Sequence, residues 1–278
     1  MNRLTTLTVL IFISFISALN AQGKLDKAEK SLKNRETSKE DRSQVRKRYS
    51  DDSDHHYLHD IDAYGWLFEI GAIASYGILV ETDWERQYSG NFASISSYPY
   101  ADAKKGNYSY KRQEKTTNFR TDISVRYVYE SSKLHGGHVN ANFWFLKRAG
   151  VELNYLQLWE DNIFFGDNGL GIGTALLKYH RVRTQRFNAW WGAGATYVLG
   201  EVKEFGFTYG AGFEFFPVQP ISLSSDFNHT FLNKNTLLKW NGMLHYHIGN
   251  YAIGGGYEYQ KIGNQHFSTL TAGLKVSL

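Results

Sequence analysis

The chain of 278 residues contains no cysteine, only 3 prolines and only 2 methionines. Without cysteine there are no disulfides, no thiol chemistry and no lipid-modified anchor on a cysteine. After the first twenty residues there is no apolar run long enough for a membrane helix, which needs about 20 such residues. Few prolines leave long stretches free to pair as strands, since proline cannot donate to a sheet ladder. The charge is nearly balanced, at a formal +4, and much of that excess sits near the N-terminus, so it supports no nucleic-acid partner. What the chain has in quantity is glycine, 26 residues, and aromatics, 16% of the total.

The start reads as an export signal. Arg3 supplies a positive charge, Leu7 to Leu19 is an apolar run broken by Thr and Ser, and Ala21 precedes Gln22 as a small residue at the cut. Residues 1–21 are therefore expected to be a signal peptide. Residues 22–62 are expected to be a charged periplasmic linker, disordered or transiently helical, because so few apolar side chains cannot sustain a fold. Within it Asp51, Asp54, His55, His56 and His59 resemble metal ligands by residue type. Spacing alone supplies neither ligand geometry nor supporting hydrogen bonds, so a solvated linker is the simpler reading and no metal or cofactor is assigned.

Residues 63–117 read as an amphipathic helix followed by a long loop or plug. In Tyr64 to Val80, Leu67, Ile70, Ile73 and Ala74 recur at helical spacing, and two short strands bent at Gly71 or Gly77 are the alternative. Asp83 to Thr117 has no sustained period and is rich in Tyr, Ser, Asn and Gly. A loop of that length inside a compact domain usually has a role.

From residue 118 the period becomes two. In Phe187 to Leu199 the odd positions are apolar throughout, and the even ones are mostly small or polar. Phe205 to Phe215 repeats the pattern against Gly206, Thr208, Gly210, Gly212 and Glu214. Alternating side chains point to opposite faces of a strand. An apolar outer face with aromatics near the strand ends matches a membrane-crossing strand of roughly ten residues. A mean hydropathy of −0.43 is no objection, because only every second side chain meets lipid.

Counting such segments to Leu278 predicts an all-β fold: an antiparallel transmembrane up-and-down β-barrel over 118–278, of about ten strands with eight to twelve as the range. The partly disordered N-terminal region precedes it. Parity assigns Arg120, Asp122, Arg126, Glu152, Glu214, Asp226, Lys239, Glu258 and Lys275 to the lumen as a polar network. Trp159, Trp191, Tyr197, Tyr209, Trp240, Tyr246 and Tyr257 fall on the lipid face. Charges in a narrow lumen must be paired or hydrated, since isolated buried ions are costly.

Signal peptide, aromatic alternating strands and a strand running to Leu278 together resemble the small outer-membrane β-barrels of Gram-negative bacteria. Those barrels usually end in Phe or Trp, where this chain has Leu274-x-Val276-x-Leu278. The resemblance implies an outer-membrane location, lipid as the surrounding partner, and insertion by the barrel assembly machinery. It names no specific family. Connections on the outer side read as short, which is unlike barrels that bind partners through long loops. A structural or scaffold barrel that presents its N-terminal region to a periplasmic protein or the cell wall is the expected function. A narrow channel for ions or small polar solutes, plugged by 83–117, is the alternative. A barrel hydrolase ranks behind both, because strand register brings no Ser, His and acid together at one rim.

Overall fold

The computed structural model describes residues 23–33, 93–101, 105–110, 116–161, 168–232 and 235–278. The expected signal peptide, the Asp51–His59 cluster and the Tyr64–Val80 segment lie outside them.

Ten strands form the barrel: β4 (Arg120–Ser131), β5 (Leu134–Trp144), β6 (Ala149–Glu160), β7 (Asn168–Arg183), β8 (Phe187–Leu199), β9 (Glu204–Val218), β10 (Ile221–Phe231), β11 (Thr236–Ile248), β12 (Tyr251–Ile262) and β13 (Gln265–Ser277). Each pairs with its neighbour in sequence, all antiparallel, and β13 closes on β4 from Leu270↔Tyr129 to Ser277↔Asp122. The last residue tightens that seam: Thr121 and Leu278 exchange backbone hydrogen bonds of 3.0 and 2.8 Å. Closure leaves no unpaired strand edge, the condition for a sheet to sit in lipid. No described helix is long and apolar enough to cross a membrane.

The turns follow from local chemistry. Gly249 and Gly263 open the two-residue connections after β11 and β12 with φ of 59° and 57°, a region that a side chain disfavours. The strand β7 runs longer than the sequence suggests. It continues to Arg183 across a bulge between His180 and Val182. The bulge keeps His180 and Arg183 on the interior side, where both are buried.

Three short strands stand outside the barrel, β1 (Ser94–Ser96), β2 (Tyr108–Ser109) and β3 (Thr116–Thr117), in the order β2-β1-β3. They lie at the mouth where the barrel strands begin and end, with Ala93, Ile95 and Tyr108 packed on Trp144.

Helix α1 (Lys24–Lys33) lies within the stretch 22–62, expected to be disordered or transiently helical. Leu25, Ala28 and Leu32 share one face and are all buried. They join Leu134, Leu156, Leu158, Leu170, Val198, Leu237, Ile262 and Phe267 in one cluster. Those barrel residues line the mouth opposite the one where β4 begins and β13 ends. Three apolar residues are too few to register as a hydrophobic stretch in sequence, yet they suffice where the barrel supplies the other side of the contact. On the outer side of the helix Lys30 pairs with Asp26 at 2.7 Å, one turn apart.

Candidate functional site: the barrel lumen

The outward face is apolar and aromatic from mouth to mouth. Trp159, Trp191, Tyr197, Tyr209, Trp240, Tyr246 and Tyr257 all point away from the barrel and are exposed, as are Phe205, Leu270 and Leu274. Some carry a polar partner at the surface, such as Trp240 Nε1 donating to Ser225 Oγ at 3.0 Å. A surface of this composition needs lipid as its solvent.

The interior is layered. Beneath α1 lies the apolar layer, and below it a belt of threonines bonded in series: Thr174 to Thr196 at 2.8 Å, Thr196 to Thr208 at 2.6 Å and Thr208 to Thr230 at 2.9 Å. The middle of the barrel is charged. All nine residues expected in the lumen point inward, and Arg120, Asp122, Glu152, Glu214, Lys239 and Glu258 are fully or almost fully buried.

The charges are sorted into local groups. Glu258 lies 3.0 Å from Arg126 and 2.9 Å from His138 Nδ1. The other nitrogen of His138 is 2.8 Å from Asn154 Oδ1 and 3.0 Å from Lys239 Nζ. Lys178 pairs with Glu152 and sits 3.7 Å over the Trp190 ring. Lys275 faces Glu214 at 3.6 Å, and Asn107 donates to the other oxygen of Glu214. Arg120 binds Asp122 at 2.9 Å, stacks over Trp144 and donates to Ser96 O and Asn107 Oδ1. Sequence reasoning overlooked His138, Lys178 and His180. Parity could have found the first: Asn140 and Asn142 face inward, so His138 on the same strand must too. The partners across the lumen come from strands far apart in sequence, and no pattern along the chain reports them.

Between these groups remains a polar cavity of about 90 Å³, lined in part by Asp122, Arg126, Glu152, Glu214, Asp226 and Lys275. That volume holds a few waters at roughly 30 Å³ each and gives no wide path for solutes.

Both mouths are filled by chain that precedes the first barrel strand. At one, Glu160 is fully buried and accepts hydrogen bonds from the first two backbone amides of α1, Lys24 N at 3.0 Å and Leu25 N at 2.8 Å. A carboxylate there satisfies amides that the helix leaves unpaired and complements its dipole. Lys24 Nζ reaches Glu130 at 2.7 Å, and Asn235 donates to the carbonyls of Ser31 and Leu32. At the opposite mouth Tyr100 donates to the carbonyls of Ile221 and Val218 at 2.5 and 3.1 Å. Burial pushes its hydroxyl up to about 12, with the Glu214 carboxylate as a second cause, so the donor proton stays in place. Tyr100 has a φ of 64°, rare for a non-glycine residue, and its backbone N–H is held by Lys105 O at 2.9 Å. Gly106 lies against the Phe216 ring, where a side chain would collide. Of the expected 83–117 plug, residues 93–101 and 105–110 thus pack into this mouth.

One pair was not expected. Ser222 Oγ lies 2.8 Å from His247 Nε2, a diagonal contact between β10 and β11. Ser222 is fully buried, and no carboxylate hydrogen-bonds His247 among the described residues. A nucleophile needs both an oriented base and access to substrate, so the pair reads as a structural hydrogen bond. No group of three or more His, Cys, Asp or Glu side chains suited to a metal occurs among the described residues.

The chain matches no protein-family model and no curated protein. It is similar to solved structures of outer-membrane proteins. These include Ail of Yersinia pestis in a phospholipid nanodisc, at 16% identity over 57% of this chain and 99% of that one, TM-score 0.35. OprG of Pseudomonas aeruginosa matches at 11% identity over 58% and 96%, TM-score 0.33. An outer membrane channel from Pseudomonas putida F1 matches at 10% identity over 64% and 98%, TM-score 0.37. The assignment of this chain rests on its own strand closure, lipid-facing aromatics and polar interior. It is a ten-stranded β-barrel of the outer-membrane type.

Proposed function

We propose that the protein is a structural barrel of the scaffold kind, stoppered at both mouths, that fixes its N-terminal region to the outer membrane. The observation that carries this reading is the double closure. Helix α1 packs into one mouth and residues 93–101 and 105–110 into the other, each through buried apolar side chains and side-chain hydrogen bonds. The intervening residues 34–92 are therefore tethered on both sides in sequence, with the barrel as the anchor. Residue 93 enters at the mouth where β4 begins and β13 ends, the periplasmic one, so a periplasmic protein or the cell wall is the partner that the part of the region next to it would meet. The test is the electrical behaviour of the intact chain in planar bilayers. A scaffold gives no steady current, and a stable open conductance from the intact chain refutes it.

The narrow channel is the second reading, favoured by the polar cavity between the two stoppers. Loosening residues 93–110 with a Tyr100→Ala, Asn107→Ala double substitution distinguishes the two. A channel gains conductance, and a scaffold stays silent because the charged layer and α1 still obstruct the lumen.

A further inference from the structure

The two rims of the barrel carry charge differently. At the mouth that holds α1 the signs are mixed: Lys24 pairs with Glu130, Lys30 pairs with Asp26, and Lys203 stands in sequence between Glu201 and Glu204. At the mouth where β4 begins and β13 ends, the connections carry Lys105, Lys147, Arg148, Arg181 and Arg186, with Arg183 buried behind them. No Asp or Glu lies on this rim among the described residues; Asp122, Glu152 and Glu214 near these strand ends are buried in the lumen. Residues 102–104 and 111–115 do not reverse the sign, since Lys104, Lys111, Arg112 and Lys115 outnumber Asp102 and Glu114. The cationic surplus therefore survives whatever local pairs these side chains make.

The surplus is confined to one sector, from the β5–β6 connection to the β7–β8 connection. Strands β6 and β7 pair one step beyond Ala149↔Tyr179, where His180 N donates to Arg148 O at 2.7 Å. The next residues of the two chains are Lys147 and Arg181, a like-charged pair. Arg181 is the extra residue of the bulge between His180↔Trp190 and Val182↔Ala189. Lys105 stands next to Gly106, whose N–H donates to Gln185 O of the β7–β8 connection at 2.7 Å. Like charges set opposite one another on neighbouring strands repel, and an anion between them relieves the repulsion. Beside Lys147 is a cleft of about 240 Å³ lined by Ser94, Thr116, Thr117 and Asn118. Thr117 Oγ1 is turned to the backbone of Phe119, donating to its carbonyl and accepting from its N–H, and Lys147 is the one ionisable group of the lining. At roughly 30 Å³ per water, the cleft has room for a phosphate group with part of its hydration shell.

The sector stands at the height of lipid headgroups. Phe145 and Leu146 precede Lys147 and are exposed, and Tyr179 precedes Arg181 with its ring 5.6 Å from that of the outward-facing Trp191. Aromatics at the edge of the apolar band followed by Lys and Arg mark the interface, where long cationic side chains reach the phosphate level. We propose that this sector binds the phosphate of an anionic phospholipid headgroup in the periplasmic leaflet, with Lys147 and Arg181 as its main contacts and the cleft beside Lys147 as its seat. Guanidinium and ammonium groups both suit phosphate oxygens, and the hydroxyl and amide groups of Ser94 and Asn118 supply neutral donors. The site is a feature of the rim whether the barrel is a scaffold or a channel.

The experiment titrates the full chain in a neutral detergent with dioleoylphosphatidylglycerol or dioleoylphosphatidylcholine, which share acyl chains and differ in headgroup charge. Bound lipid is counted by native mass spectrometry. Phosphatidylglycerol should be retained at concentrations about tenfold lower than phosphatidylcholine, and a Lys147→Gln, Arg181→Gln double substitution should remove that preference. The same change at the other rim, Lys203→Gln with Lys261→Gln, should leave it intact. Equal retention of the two lipids overturns the proposal, as does a preference that persists in the Lys147→Gln, Arg181→Gln chain. If inorganic phosphate at matched ionic strength displaces the lipid and is itself retained without it, the site serves a soluble anion and the lipid assignment falls. If the chain in phosphatidylcholine nanodiscs binds purified cell wall through Lys147 and Arg181 and shows no preference for phosphatidylglycerol, the surface belongs to the wall and the proposal also falls. The fast-migrating unboiled form reports that each variant is folded. Should the double variant lose it, the two single variants decide, and an unshifted half-saturation in both is the refuting outcome.

Discussion

Leu25→Ala tests whether α1 is a seated stopper. Leu25 is 1% exposed and sits among Leu134, Leu156, Leu158 and Phe267 of the mouth, with its backbone amide on Glu160 at 2.8 Å. The backbone bond survives the substitution, so the loss is apolar contact plus the cavity left behind. For a fully buried leucine that amounts to roughly 3 kcal/mol, from a measured range of about 2.7–5. At about 1.4 kcal/mol per factor of ten, the undocked fraction of the helix rises on the order of a hundredfold. The barrel ladder is untouched, so the unboiled form should still migrate fast on a gel. The assay is trypsin cleavage at Lys24, Lys27 and Lys30 of the folded protein, because cleavage tracks the open population when reclosing is fast. An increase of about two orders of magnitude in that rate, with no change in heat modifiability, is the expected outcome. A rate within about twofold of the parent would show that Leu25 does not hold the helix in the mouth, and the stopper argument would fall with it.

Three further outcomes follow from other layers. Glu258→Ala removes the carboxylate shared by Arg126 and His138 and leaves buried cations uncompensated, so it should cost about 3–5 kcal/mol in urea unfolding from lipid vesicles; a loss below about 1 kcal/mol would show that the group is solvated. Val125→Arg places a charge on the lipid face near the middle of β4 and should cost about 2–4 kcal/mol in the same measurement. If it is neutral in vesicles, the outward face does not meet lipid. Because the chain has no cysteine, Lys27→Cys creates a single thiol on the exposed side of α1. Even strand number puts both barrel ends on the periplasmic side, so a membrane-impermeant maleimide should label this thiol in intact cells. Labelling only after the outer membrane is breached would reverse the orientation of the barrel.

The lumen and lipid faces were legible in the sequence because a strand reports its two faces with period two. Trp191 and Tyr197 outward, or Asp226 and Glu258 inward, need only parity and a correct strand to be placed. The number of strands was legible for the same reason to about ten, within a range of eight to twelve. Glycine-containing connections such as Gly249-Asn250 and Gly263-Asn264 punctuate the alternation clearly. The division of the lumen was hidden. Leu134, Leu156 and Phe267 are inward by parity, but nothing along the chain says that they converge at one mouth, or that Leu25, Ala28 and Leu32 complete them. A charged tract with three spaced apolar residues looks like a linker until a partner surface exists.

Alternation of side chains is a property of the local backbone, so the sequence by itself determined the strands, their approximate count, the lipid-facing aromatics and most of the charged residues of the interior. Pairing is a property of closure. That Glu258 meets Arg126 and His138, and that Glu160 caps α1, depends on which strands stand opposite once β13 meets β4. Those contacts join residues up to more than a hundred positions apart, as His138 and Glu258 do with a separation of 120. Only the tertiary structure could decide them, because the energy of a buried charge is set by what lies across the lumen and not by what lies next to it in the chain.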